Sequence, residues 1–196
     1  MVWQYKTSGI PDELFERLPG IPLTKREVRL LILSALRLKE KSVVWDIGAG
    51  TGTVSIEMGL LCPDNKIVAV ERDPDIVKLI QKNCQLFHVH NVNVLEGHAP
   101  ECLSQIKPKP DRVFIGGGKS IKAVLSEVWK VLPSAGRVVA IASNLENLYQ
   151  ISEGLAQLQA RNIEVVQSSI NRLETRGMSQ VFVAIAPTFI LSGEKI

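Results

Sequence analysis

Val43-Val44-Trp45-Asp46-Ile47-Gly48-Ala49-Gly50-Thr51-Gly52-Thr53 is the stretch on which the reading of this chain turns. A short apolar run rich in β-branched residues stops at glycines in alternate positions. Val54, Ile56, Met58, Leu60 and Leu61 then follow in a helix-like pattern. The pattern predicts a strand, a tight turn and the start of a helix. Glycine adopts backbone angles that a Cβ forbids and lets the main chain come close to a ligand, so a cofactor is expected on this turn. A second acid, Glu71, ends the next apolar run, Ile67 to Val70, where a carboxylate can accept hydrogen bonds from both hydroxyls of a ribose.

Spacing decides between cofactors. The dinucleotide fingerprint requires glycine at position 53, where this chain has Thr53, which argues against a dinucleotide-binding regulator. Asp46-Ile47-Gly48-Ala49-Gly50-Thr51-Gly52 instead resembles the first motif of class I methyltransferases, whose glycine turn receives the amino-acid part of S-adenosylmethionine. That resemblance implies an α/β fold with a doubly wound, Rossmann-like, seven-stranded and mostly parallel sheet closed by a terminal antiparallel hairpin.

A chain of 196 residues, 45% of them hydrophobic, can bury one proper core, so a single domain over 1–196 is expected, with an N-terminal lid and helix over 1–38 and the core over 39–196. The formal charge of +3 permits an anionic substrate, but no clustered basic stripe suggests bulk nucleic-acid binding. The three cysteines, Cys62, Cys84 and Cys102, are widely spaced and form no Cys-x-x-Cys pair, so neither a disulfide framework nor a metal site is indicated and a reducing cytoplasm fits. Neither a signal-peptide core nor an apolar run long enough to span a membrane is visible, and no membrane partner is expected.

Along the chain, Gly9 to Phe15 and Pro19 to Leu23 combine turn residues with large apolar anchors. They read either as a lid with a short helix near 11–17 or as a packing arm. Thr24-Lys25-Arg26-Glu27 reads as a capping box for a helix carrying Val28, Leu31, Ile32, Ala35 and Leu36. Strands are expected near 92–95, 112–115 and 136–142. Helices are expected after Asp73-Pro74, over 122–132 and over 145–159. Two final strands, 163–170 and 180–186, are separated only by 171–179 and should pair antiparallel.

Ligands of open α/β sheets collect beyond the carboxyl ends of the strands. This rule selects residues 46–53, 71–73, 97–101, 116–120 and 143–147. Gly97-His98-Ala99-Pro100 is either a plain loop or a backbone lining for an adenine. Gly116-Gly117-Gly118 lacks the Asn/Asp-Pro-Pro-Tyr/Phe motif of enzymes that methylate base amino groups. It reads either as a helix-entry turn capped by Ser120 or as an unhindered approach to a methyl donor. Arg172, Glu174 and Arg176 are either solvated turn residues or, together with Lys25, Arg26 and Arg29, a cluster able to hold carboxylates.

Gly9 to Phe15, Pro22 to Arg29, Asp46 to Gly52, Gly97 to Glu101, Phe114 to Gly117 and Leu145 to Asn147 together resemble the precorrin methyltransferases of cobalamin biosynthesis, the CbiT family, which matches the C-terminal part of CobL. The resemblance implies methylation of C15 of precorrin-6B, or of its cobalt form, by S-adenosylmethionine, with loss of carbon dioxide from the C12 acetate. It further implies a homotetramer and a functional pairing with the C5-methyltransferase of the same pathway. Carried over by position, Thr24, Asp46, Gly48, Ala49, Gly50, Thr51, Gly52, Glu71 and Ala99 would bind the cofactor. Gly117, Arg29 and Arg176 are the residues expected to meet the tetrapyrrole. Glu101, Glu146 and Glu174 stand unranked as proton donors, so no catalytic residue is named. A tRNA-base methyltransferase shares the fold and the cofactor and is the alternative.

Overall fold

The computed structural model describes residues 2–118 and 120–196. Met1 and Lys119 lie outside the described residues, the latter within the predicted ligand-bearing loop 116–120. Strands β1 (Val43–Ile47), β2 (Lys66–Glu71), β3 (Val92–Glu96), β4 (Arg112–Ile115), β5 (Arg137–Ala142), β6 (Arg161–Arg176) and β7 (Ser179–Glu194) form one sheet in the order β3-β2-β1-β4-β5-β7-β6. The first five run parallel, and β7 lies antiparallel between β5 and β6. This is the doubly wound sheet with a terminal hairpin that the glycine motif implied.

The central strands read as continuous apolar runs because both faces are covered. Trp45, Val68, Val113 and Val138 pack against α4 (Ile121–Val131) and α5 (Leu145–Gln157). Their neighbours Val44, Ile67, Phe114 and Val139 pack against α1 (Arg26–Leu36) and α2 (Thr53–Leu61). Helix α3 (Pro74–Leu86) extends the second layer, placing Ile80 beside Ile56 of α2. Asp73 caps α3 by accepting from the amides of Asp75 and Ile76 at 2.9 and 3.4 Å, ahead of Pro74 in the first turn, as its sequence predicts.

Strand order reverses between β1 and β4, and a crevice opens beyond their carboxyl ends. The loops leaving these two strands nearly touch: a Cβ on Gly116 would sit 2.6 Å from the carbonyl oxygen of Gly48. Glycine at 116 is therefore demanded by backbone proximity rather than by turn geometry.

Three local expectations require correction. The helix near 11–17 is only a 3-10 turn, Asp12–Leu14, because its side chains are held by tertiary contacts in place of a longer hydrogen-bonded ladder. The capping box does not form: the N-cap position is Lys25, and the amide of Arg26 donates to Asp12 at 2.9 Å, while Glu27 turns to Arg172. The predicted loop 171–179 is strand, and the hairpin turns only at Gly177 and Met178. Arg172, Glu174 and Arg176 alternate with Leu173 and Thr175 along β6, and pairing with β7 satisfies their backbone far beyond the end of β5. The hairpin therefore projects past the sheet as a flap over the crevice.

Candidate active site

Two cavities occupy the crevice. The smaller, of about 570 Å³, is lined by Pro22, Ile76, Glu71, Gly97 to Ala99 and the glycine loops. The larger, of about 620 Å³, lies between the Pro22 to Lys25 segment and the inner face of the hairpin, with Val28, Phe114, Ile141 and Val183 to Ala186 on its walls. They share Pro22, Gly48, Gly50, Gly117 and Gly118. The partition is thus almost entirely glycine backbone.

Gly48, Gly50 and Gly52 all take positive φ, at 73°, 55° and 76°, as the turn after β1 requires. Among the described residues, nothing lies within 4 Å of where a Cβ on Gly50 would be, so the loop presents bare main chain to the space beside it. Glu71 organises this loop. One carboxylate oxygen accepts from the amide of Gly50 at 3.1 Å, and the other accepts from the amides of Arg72 and Asp73 at 2.8 and 3.2 Å. A carboxylate has lone pairs to spare beyond these bonds, and Glu71 lines the smaller cavity. The bare glycine turn, the adjacent acid and the N-terminus of α2 fit a nucleoside cofactor with a charged amino-acid tail.

Other expected cofactor residues are distributed unevenly. Ala99 lines the smaller cavity, whereas Thr24, Ala49 and Thr51 line the larger. Gly52 lines neither: it is the N-cap of α2, and a Cβ there would meet Ile80 at 2.7 Å. Asp46 is fully buried and also lines neither cavity. One of its oxygens accepts from the Ser55 hydroxyl at 2.6 Å and the other has no side-chain hydrogen-bond partner among the described residues.

Burial pushes the Asp46 carboxyl up to about 7, against the hydrogen bond from Ser55, with the charge of Glu71 adding to the rise. In the folded state this group keeps a proton that the unfolded chain loses near pH 4. Its stabilising contribution is full below that pH and is lost as pH rises through about 7. Between pH 5 and 8 the wild type should lose about 2–3 kcal/mol relative to Asp46→Asn, which cannot ionise. Denaturant melts across that range check this, and parallel stability curves would refute it.

Expected substrate residues separate more sharply. Gly117 lines both cavities. Arg176 does not reach the larger one: it lies at the exposed end of β6 and pairs with Glu174 at 3.1 Å. Arg29 is overturned as a substrate contact, since its side chain has no exposure and spends its donors inward. It binds Asp12 at 2.8 Å, Glu57 at 3.0 Å, the Thr24 carbonyl at 2.6 Å and the Ile10 carbonyl. Glu57 also accepts from the amides of Gly9 and Ile10 at 2.8 and 3.0 Å, so the cluster staples the N-terminal segment to α1 and α2.

Of the three candidate proton donors, Glu174 alone lines the larger cavity. Glu101 is exposed and bound to His98 at 2.6 Å, which holds its carboxyl below the usual range, and Glu146 lines neither cavity. Burial raises all three thiols, Cys84 to about 11, so none is an activated nucleophile. The hairpin also contributes a wall, Val183 to Ala186, that is not legible in the sequence. Those residues look like an ordinary core strand until the hairpin is seen to extend past β5.

Comparison with known proteins decides the family. Residues 15–195 match the model described as precorrin methyltransferase domain. The chain belongs to the precorrin methyltransferase family. Within it, a cobalt-precorrin-6B C(15)-methyltransferase (decarboxylating) of Salmonella typhimurium is 37% identical over 185 residues, covering 94% of this chain and 95% of the relative. Among solved structures, a precorrin-6y C5,15-methyltransferase from Geobacter metallireducens is similar at 36% identity with a TM-score of 0.89, over 96% of this chain and 98% of that one. A precorrin 8W decarboxylase from Methanobacterium thermoautotrophicum is similar at 29% identity with a TM-score of 0.86, over 94% and 98% of the two chains.

Proposed function

We propose that this precorrin methyltransferase methylates C15 of cobalt-precorrin-6B or precorrin-6B with S-adenosylmethionine and removes carbon dioxide from the C12 acetate. The observation that carries the reading is the shared glycine wall between a cavity built for a nucleoside cofactor and a larger one roofed by the hairpin. Glu71 would hold the cofactor ribose, Gly48 and Gly50 of the glycine turn its amino-acid end, and the Ala99 loop its adenine. When bound, the cofactor supplies an electrophilic methyl group on a sulfonium.

A reduced meso carbon is already nucleophilic, so the chain need only hold it in line with that methyl across Gly117. Orientation of this kind is worth about 7–11 kcal/mol. Val183, Ile185 and Ile141 make much of the larger cavity apolar. A carboxylate pressed there loses hydration, and its charge spreads into the ring imines as carbon dioxide leaves, so the wall suits the transition state better than the ground state. Of the three candidate carboxyl groups, Glu174 would exchange the accompanying proton, a role supported by its position in the lining of the larger cavity.

The tRNA-base alternative is not supported: full-length relatives named above act on tetrapyrroles, and the partition carries glycines in place of a base-stacking motif. A homotetramer is favoured by Leu173, Met178 and Phe182, large apolar side chains left exposed on the projecting hairpin. A functional pairing with a C5-methyltransferase is supported by the similar Geobacter metallireducens protein, described as a C5,15-methyltransferase, and a cytoplasmic location fits three unpaired thiols. Among the described residues, no helix is long and apolar enough to cross a membrane. Incubation with S-adenosylmethionine and precorrin-6B, with or without cobalt, should give a product that has gained a methyl group and lost carbon dioxide by mass. An unchanged tetrapyrrole beside methylated tRNA would overturn the reading.

A further inference from the structure

We infer that Lys25, backed by Arg172, is a carboxylate-binding, specificity-determining residue of the larger cavity, holding an acetate or propionate group that the tetrapyrrole keeps. The inference rests on the proposed reaction and concerns a residue of the same site.

Lys25 and Arg172 are the cations that line this cavity among the described residues. Both belong to a connected ion cluster in which Lys25, Arg26, Arg29 and Arg172 face Asp12, Glu27 and Glu57. Four positive groups meet three negative ones, so one positive charge is left over. Arg26 pairs with Glu27 at 3.2 Å and lines neither cavity, so what bears on the cavity is how Arg29, Arg172 and Lys25 are placed. Arg29 is saturated inside the protein. Arg172 grips Glu27 through two bonds, at 3.0 and 2.5 Å, and reaches Asp12 at 3.0 Å. The first of these contacts holds the Glu27 carboxyl down at about 2, so it stays ionised and the grip persists.

Lys25 is different. Its ammonium lies 3.9 Å from Asp12 Oδ2, too far for a hydrogen bond, and that oxygen already accepts from Arg172. Its side chain is 42% exposed, so the donors are free to meet a ligand. The backbone beneath it is fixed at the N-cap of α1, where its carbonyl accepts from the amide of Arg29 at 2.9 Å. The unspent charge of the cluster is thus aimed from a rigid base into a cavity whose far wall is apolar. Among the described residues, the cations that a carboxylate entering the space can meet stand at this end, while Glu174 at the rim is bound to Arg176.

A division of labour follows. A carboxylate held by Lys25 is stabilised as an anion and resists losing carbon dioxide, whereas one against Ile141 and Ile185 has no cation to hold it. Lys25 therefore reads a carboxylate that survives the reaction.

The test uses cofactor-loaded full-length protein. Lys25→Ala should raise the KM for precorrin-6B about ten- to a hundredfold, as loss of a charge-assisted bond implies. Lys25→Arg should recover most of it, and S-adenosylmethionine affinity by calorimetry should match the wild type. Equilibrium titration with uroporphyrin, an eight-carboxylate porphyrin, reads the site without turnover. Lys25→Ala should bind it at least tenfold more weakly, and the difference should vanish for the octamethyl ester. If Lys25→Ala binds uroporphyrin as the wild type does while wild-type protein converts precorrin-6B, the inference fails and the proposed reaction stands. A wild type that methylates no tetrapyrrole overturns the reaction and the inference with it.

Discussion

Arg29→Ala is expected to lower the stability of the protein by about 3–5 kcal/mol, because it leaves the buried Glu57 carboxylate without its ionic partner among the described residues and Asp12 with Arg172, at 3.0 Å, as its nearest remaining cation. For a domain of this size that corresponds to a fall in melting temperature of roughly 6–20 °C. The N-terminal segment should loosen with it, since Gly9 and Ile10 hang on Glu57 and Thr24 on Arg29 itself. Arg29→Lys should rescue little: one ammonium cannot reach two carboxylates and two carbonyls at once. Thermal melts at fixed pH decide this. A stable Arg29→Ala protein with only a raised KM for the tetrapyrrole would restore the substrate role that burial argues against.

Gly117→Val should abolish turnover. Gly117 has φ of 108° and, among the described residues, nothing within 4 Å of where its Cβ would project, so an added side chain enters the space at the glycine partition. The positive φ also strains any other residue there, at about 1–3 kcal/mol, so the comparison must be with Gly117→Ala, which bears most of that strain without the bulk. An isopropyl group should hold the accepting carbon back from the roughly 3–3.5 Å needed for attack, and a misplacement of about 1 Å costs on the order of a hundredfold. Both variants should melt at similar temperatures. Single-turnover methyl transfer should be at least a hundredfold slower, by that estimate, in the valine variant than in the alanine variant. Equal rates would remove Gly117 from the reaction path.

These two residues show how unevenly the sequence discloses a site. Gly117 was legible because a glycine run at the carboxyl end of a strand is a local signal, and strand order in α/β sheets is regular enough to bring such loops together. Arg29 was misread because charge suggests surface. A signal was present: Arg29 lies beside Val28 and one turn before Leu33, on the helix stripe that becomes buried. Its burial still needed Asp12 and Glu57, which approach from 17 and 28 residues away. The hairpin is a similar case. Arg172, Glu174 and Arg176 looked like turn charges, yet their period of two is that of a strand with one charged face.

By itself the sequence determined what short-range periodicity can carry. The first five apolar runs at strand length, the glycine turn after Asp46, the Asp73 cap and the acid at Glu71 each depend on neighbours within a few residues, and these emerge in the fold at or within one or two positions of where they were expected, whereas the last two strands run six and eight residues past their expected ends. Only the tertiary structure decided which charges pair, how far the hairpin reaches, and that two cavities meet at a wall of glycine. Pairing energy depends on distance in space and on burial, and neither is written in spacing along the chain. The side chains of Lys25 and Arg29, four residues apart on one helix start, therefore have opposite fates: one is left with charge to spare at the cavity, and the other is spent entirely on the core.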